Sequence, residues 1–183
     1  RSRRVFAYIE PRAGWVVVDT PVVKRAEAVL GLLRDSLGSL PVDPLAVKGD
    51  PAAIMTRWLR ETPAAGFRVM DECELREPLE GGGVVRCRRQ DLGSEEVATH
   101  LEAGKRAVRL AVEWNDRLAC VLGDDLIVRR LGFLDAVQEE AGRTEAEDAA
   151  ARLDADFALM TLELGRFIPA LIEAFGGLES RSE

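Results

Sequence analysis

Large apolar side chains recur at three- and four-residue spacing through Leu153, Phe157, Met160, Leu164, Phe167, Leu171 and Phe175. On a helix this spacing lines one face, so it predicts a long helix over residues 144–175 whose stripe is turned inward. Phe157 and Leu164 are expected to be fully buried. Pro169 predicts a kink near the end and Gly176-Gly177 a stop. Residues 105–114, 117–122 and 126–131 read as a three-stranded meander, with Asn115-Asp116 and Gly123-Asp124-Asp125 as hairpin loops.

The remaining segments follow from turn and capping chemistry. Residues 5–10 and 15–19 read as strands around the turn Pro11-Arg12-Ala13-Gly14. Thr20 is a plausible N-cap with Pro21 at the first helical position, and a helix runs to about Leu37. Its stripe is Ala26, Val29, Leu30, Leu33 and Leu37, and Gly38 stops it. A proline-bearing connector follows at 39–45. Asp50 caps a second helix carrying Ile54, Trp58 and Leu59, which Thr62-Pro63 ends. Residues 66–77 and 84–92 read as strands about the turn Glu80-Gly81-Gly82-Gly83. Ser94 caps a short helix closed by Gly104, with Glu95 and Glu96 near its positive end. An acidic linker joins the meander to the long helix. This order mixes hairpins with helices and lacks steady βαβ alternation. It predicts an α+β fold with largely antiparallel sheets, flanking helices and a long C-terminal helix. Residues 1–65 group as a hairpin plus two helices, and 66–183 as basic strands, meander and long helix.

The 183 residues are 47% hydrophobic, enough for a substantial core. No apolar run reaches the ~18 residues of a membrane span, and no membrane partner is expected. Arg1-Ser2-Arg3-Arg4 has no apolar segment behind it, which argues against a secretory signal. Without an initiator Met, the sequence is expected to begin partway through a longer product. Cys73, Cys87 and Cys120 are widely spaced with no CxxC pair. They read as reduced thiols, half or fully buried, of a cytosolic protein rather than a disulfide framework or a zinc site.

Catalysis by a nucleophile needs an activating base, and the only histidine is His100. No GxSxG elbow or Cys-His arrangement accompanies it, so it reads as a packed or solvated helix residue. Gly81-Gly82-Gly83 lacks a Walker lysine and leads into a strand, which favours a turn over a phosphate loop. Asp124-Asp125 fits a β-turn. Asp154 and Asp156, two apart on a helix, diverge by about 200° and cannot share an ion. No enzyme, cofactor or metal is expected.

The basic residues on strands say more. Alternation over 84–92 puts Val84, Arg86, Arg88 and Gln90 on one face, and Val85, Cys87, Arg89 and Asp91 on the other. Lys105, Ala107, Arg109 and Ala111 share a face opposite the core-facing Val108, Leu110, Val112 and Trp114. Arg129 and Arg130 end the third meander strand. Two readings stay open: a solvated sheet face with ion pairs to Glu102 or Glu113, or a platform for a phosphate backbone. Arginine suits the second through its fork and permanent charge. With no aromatic interleaved, contacts would go to backbone and carry no base information.

The net charge of −7 hides a polarised distribution. Residues 133–160 hold eight acids against two arginines, whereas 1–25 hold six bases against two acids. An acidic docking face and a dimerisation helix, as in a protein-interaction module, is therefore the alternative to DNA binding.

Several runs together resemble the RdgC family of recombination-associated proteins. They are Ser36-Leu37-Gly38-Ser39-Leu40-Pro41 with Pro44-Leu45, then Gly82-Gly83-Val84-Val85-Arg86-Cys87-Arg88-Arg89-Gln90-Asp91-Leu92. Glu102-Ala103-Gly104-Lys105, Arg129-Arg130-Leu131 and the segment from Asp154-Ala155-Asp156-Phe157 through Gly177 complete the series. The resemblance implies a cytoplasmic, nucleoid-associated homodimer whose basic central hole encircles DNA. It implies non-specific binding of single- and double-stranded DNA, and modulation of recombination by limiting access of the RecA recombinase. Arg88, Arg89, Gln90 and Lys105 match positions that the family places toward DNA or at the ring's closing contact. Arg86, Arg109, Arg129 and Arg130 join them from the strand faces. The family's chain carries roughly another domain before the point matching Arg1. Leu162 stands where the family often has Gly.

Overall fold

The computed structural model describes residues 4–142 and 149–179. The chain divides into two compact units, Arg1–Leu45 and Ala46–Glu183. In the first, β1 (Ala7–Glu10) and β2 (Trp15–Val18) form an antiparallel hairpin with Tyr8 opposite Val17. α1 (Val23–Leu37) follows and ends at Gly38, whose φ of +79° is the left-handed conformation that glycine adopts without a steric penalty. The helix starts later than expected, because Thr20 serves a turn instead: its Oγ1 accepts a hydrogen bond from the Val22 N–H at 3.3 Å. Ala26, Val29, Leu30 and Leu33 are half-buried as a stripe should be, but Leu37 is exposed.

The second unit contains α2 (Pro51–Trp58), β3 (Phe67–Arg76), β4 (Val84–Arg88) and α3 (Glu95–Glu102). Then come β5 (Arg106–Trp114), β6 (Leu118–Gly123), β7 (Val128–Phe133), α4 (Asp135–Gly142) and α5 (Ala149–Ala174). The five strands form one antiparallel sheet in the order β4-β3-β5-β6-β7. The fold is thus α+β with antiparallel sheets and a long C-terminal helix, and the meander falls where period-two alternation placed it. Asp50 caps α2 by accepting from the Ala53 N–H at 3.1 Å, with Pro51 in the first turn.

One face of the sheet carries the core. Phe167 of α5 meets Phe67 on β3 at 6.2 Å and Trp114 on β5 at 5.7 Å between ring centres. Trp58 of α2 meets Phe67 at 5.2 Å and Phe175 at 5.5 Å. Thr56 on α2 accepts the Ala107 N–H at 2.8 Å, tying α2 to β5. Glu163 on α5 is fully buried, and Arg117, between β5 and β6, grips it with Nε and a terminal nitrogen at 2.7 and 2.8 Å.

Several expectations need correction. The acidic linker after the meander is partly helical, as α4. The expected start of the long helix at Thr144 lies outside the described residues, and α5 runs on through Pro169 to Ala174. Phe157 is not buried: it is 47% exposed and Leu153 64%, whereas Leu164, Phe167 and Leu171 are buried. A helix of 26 residues spans about 39 Å, more than the ~30 Å of a nine-residue strand, so it outruns the sheet. The strand expected over 84–92 stops at Arg88, because Arg89 takes a φ of +52°. Ser94 sits at the N-cap of α3, but its hydroxyl makes no capping bond.

The second unit closes on itself. The N–H groups of Lys48 and Gly49 donate to the carbonyls of Gly177 and Phe175, both at 2.9 Å, and Glu179 N–H donates to Ala46 at 3.1 Å. Val47 and Leu178 bridge between them. A side chain at Gly49 would lie 2.5 Å from the Phe175 carbonyl oxygen, so only glycine admits this approach.

Candidate nucleic-acid interface

The face of the sheet opposite the core is built from alternate residues. On β3, Phe67, Cys73 and Leu75 are buried in the core, while Arg68, Glu72, Glu74 and Arg76 belong to the other side. On β4, Arg88 stands opposite Glu72 and Arg86 opposite Glu74. On β5, Arg109 stands opposite Glu74 from the other flank. Directly opposed residues share a face, so three strands bring their charges together.

Two glutamates organise the array. Glu74 accepts from Arg76 and from Arg86 Nε, each at 2.9 Å, with Arg109 at 3.7 Å. Glu72 takes Arg130 at 2.8 Å and Arg88 at 3.7 Å. The side chain of Glu74 is 6% exposed and that of Glu72 24%, against 47% to 71% for the five arginines. The carboxylates therefore form a lower layer and the guanidiniums an upper one, which is what a ligand arriving from solvent would meet.

The contact of Arg130 with Glu72 crosses the sheet. β7 lies three strands from β3, about 14 Å away in a flat sheet, so two long side chains reach toward each other over β5 and β6. β3 and β7 carry register shifts, where strands bend, and Arg130 is left-handed at the β7 shift with φ +51°. Gly123 on β6 leaves room beneath: a side chain there would collide with the guanidinium of Arg129.

Of the residues expected from sequence, Arg86, Arg88, Arg109 and Arg130 meet on this face. Arg129 reaches it too, but its side chain is 18% exposed and engaged by Asp125. That bond holds the Asp125 carboxyl below the usual range. Arg89 is exposed beyond the end of β4. Gln90 donates to Glu96 at 2.8 Å. Lys105 is mostly covered and donates to Glu77 at 2.7 Å, and Glu77 also accepts the Gly83 N–H, so the lysine fastens the β3–β4 turn. Ala107 does not share the arginine side: it is fully buried opposite Leu75, because a register shift intervenes before Arg109. The partners expected at Glu102 and Glu113 are instead Glu72 and Glu74, and Glu113 pairs with Arg68 at 2.6 Å. Sequence reasoning passed over Arg68 and Arg76. Period-two alternation in residues 67–76 was the signal that could have found them.

Burial pulls the Glu74 carboxyl upward, but hydrogen bonds from Arg86 and Arg76 and the charge of Arg109 outweigh it, and the net shift is downward. A depressed carboxyl contributes stability above its unfolded value, and that contribution is lost as pH falls through the folded one. The stability difference between wild type and Glu74→Gln should therefore be full above about pH 4.3 and shrink in more acid solution. Urea midpoints across pH measure it; a difference independent of pH would show the network to be electrostatically idle.

Other chemistry is sparse. Cys73 faces Cys87 across β3 and β4, and burial, with Cys87 beside it, pushes the Cys73 thiol up to about 12. All three cysteines are free and buried. Among the described residues no group of three or more His, Cys, Asp or Glu could hold a metal ion. No helix among them is long and apolar enough to cross a membrane.

Fold and face define an α+β protein whose antiparallel sheet is helix-backed on one side and arginine-topped on the other. The chain belongs to the RdgC family of recombination-associated proteins. The family description "Putative exonuclease, RdgC" matches residues 1–178. A "Recombination-associated protein RdgC" of Pseudomonas paraeruginosa PA7 is 52% identical over 98% of this chain. Proteins of the same name from Pseudomonas syringae pv. tomato DC3000 and Pseudomonas putida GB-1 are 48% and 46% identical over the same share. The chain spans 59% of the length of these relatives. The family description names an exonuclease, while the curated names carry recombination and no enzymatic activity.

Proposed function

We propose that this chain is part of a sequence-independent DNA-binding protein that modulates recombination, and that the arginine face contacts the phosphate backbone. The observation that carries this reading is the convergence of Arg76, Arg86, Arg88, Arg109 and Arg130, from four strands, above two less exposed glutamates. Each guanidinium offers five donors and spends only some on a carboxylate, leaving others for a phosphate. Contacts of this kind serve single and double strands alike and ignore sequence. Relatives named for recombination support the wider role; in this reading the protein is a homodimer that encircles DNA at the nucleoid, limits access of the RecA recombinase and has no catalytic step of its own.

Binding measured across salt concentrations tests this. Each phosphate neutralised contributes about −0.9 to the log–log salt slope on duplex DNA. Replacing Arg86 and Arg88 together by Ala should flatten the slope by about one to two units, equally on unrelated sequences. Unchanged binding at every salt concentration would remove these arginines from the interface. A second reading, a protein-interaction module, draws on the exposed Leu153, Phe157 and Leu162 of α5. It takes over if the wild type fails to bind DNA even at low salt.

A further inference from the structure

Glu72 touches both margins of the sheet. β4 and β7 are its two edge strands, at opposite ends of the order β4-β3-β5-β6-β7. Arg88 comes from one and Arg130 from the other, and both reach the carboxylate of Glu72 on β3. The backbone pairing of β3 with β4 would bring Arg88 and Glu72 together in any case. No pairing joins β3 to β7, so the contact to Arg130 is made by the two side chains reaching across the strands between. Arg130 also sits at the β7 register shift in a left-handed conformation that residues other than glycine adopt at a cost.

We infer that Glu72 is a positioning residue for DNA binding: its carboxylate clasps Arg88 and Arg130 from the two edges and holds the arginine array at one width. This rests on the DNA-binding reading and adds a role for a residue that bulk electrostatics would count against it. On charge alone, neutralising Glu72 removes repulsion toward a polyanion and should tighten binding. As a clasp, its loss frees two long cationic side chains and leaves their mutual repulsion without the carboxylate between them. Fewer arginines then engage the backbone together, and each pays its ordering entropy on binding. The two accounts predict opposite signs.

The experiment compares Glu72→Gln with Asp116→Asn, using short duplex DNA as the probe and salt titration as the readout. Asp116 is 91% exposed and touches neither Arg88 nor Arg130 among the ion pairs of the face, its one arginine being Arg68 at 4.0 Å, so it controls for loss of one negative charge. Glu72→Gln is expected to weaken binding and flatten the slope by about one to two units. Asp116→Asn should leave the slope unchanged and the affinity equal or higher. Thermal midpoints of both variants, taken alongside, exclude a folding effect. A cycle with Arg88→Ala plus Arg130→Ala gives a second reading: with those arginines gone, Glu72→Gln should flatten the slope no further. Tighter binding by Glu72→Gln, or additive losses in the cycle, would overturn the clasp. If the double arginine variant itself binds like wild type, the DNA-binding reading of this face fails instead. If it loses slope and Glu72→Gln does not, only the clasp fails.

Discussion

Arg117→Ala should destabilise the chain by about 3–5 kcal/mol, the cost of leaving one member of a buried ion pair without the other. Glu163 is fully buried on α5, and Arg117 meets both of its carboxylate oxygens. Arg166 reaches the same carboxylate at 3.4 Å, but its side chain is 57% exposed and its single contact is long. It cannot replace a two-pronged grip. The pair also joins the β5–β6 turn to the middle of α5, so its loss loosens helix from sheet. Replacing both partners by apolar residues of similar volume, Arg117→Met with Glu163→Leu, should cost far less than Arg117→Ala alone. Urea unfolding of the three proteins measures this. A loss under about 1 kcal/mol for Arg117→Ala would mean that water reaches Glu163.

Phe167→Ala should cost a comparable ~3–5 kcal/mol, through lost apolar transfer and the cavity left behind. Phe167 is 1% exposed and meets Phe67 and Trp114, so the void would open where helix and sheet join. Phe157→Ala, ten residues earlier on the same helix, removes a half-exposed ring and should cost well under half as much. Tryptophan fluorescence follows both unfolding transitions, since Trp58 and Trp114 lie in the affected cluster. Equal losses at the two positions would show that the first half of α5 is covered in solution.

That contrast marks where sequence stops informing. Periodicity identified the α5 stripe and placed both phenylalanines on it, but one face of a helix reads the same along its length. Which turns find a partner depends on where the sheet ends. The arginine face divides in the same way. Alternation placed Arg86 and Arg88 together because β4 is regular. It failed at Gln90, since nothing in the residue types announces the left-handed Arg89 that ends the strand. It misplaced Ala107 because the register shift before Arg109 reverses the count. The partnership of Arg130 with Glu72 was further out of reach. It depends on strand order and register together, and no window of neighbouring residues encodes either. Thr20 and Ser94 show the limit at the local scale: each is a good cap by type, and each caps nothing.

The zipper between residues 46–49 and 175–179 has a mechanical consequence. The second unit begins at Ala46, whose carbonyl takes the outermost of these bonds, from the Glu179 N–H. Tension applied at Ala46 and Glu179 would load that rung alone, then the Val47–Leu178 bridge, then the bonds of Lys48 and Gly49, one after another. Bonds loaded in series peel at low force, whereas strands pulled lengthwise share the load. The unit would thus open at its seam under modest pull while the sheet and α5, lying behind Gly49, stay out of the force path until the last rung has parted.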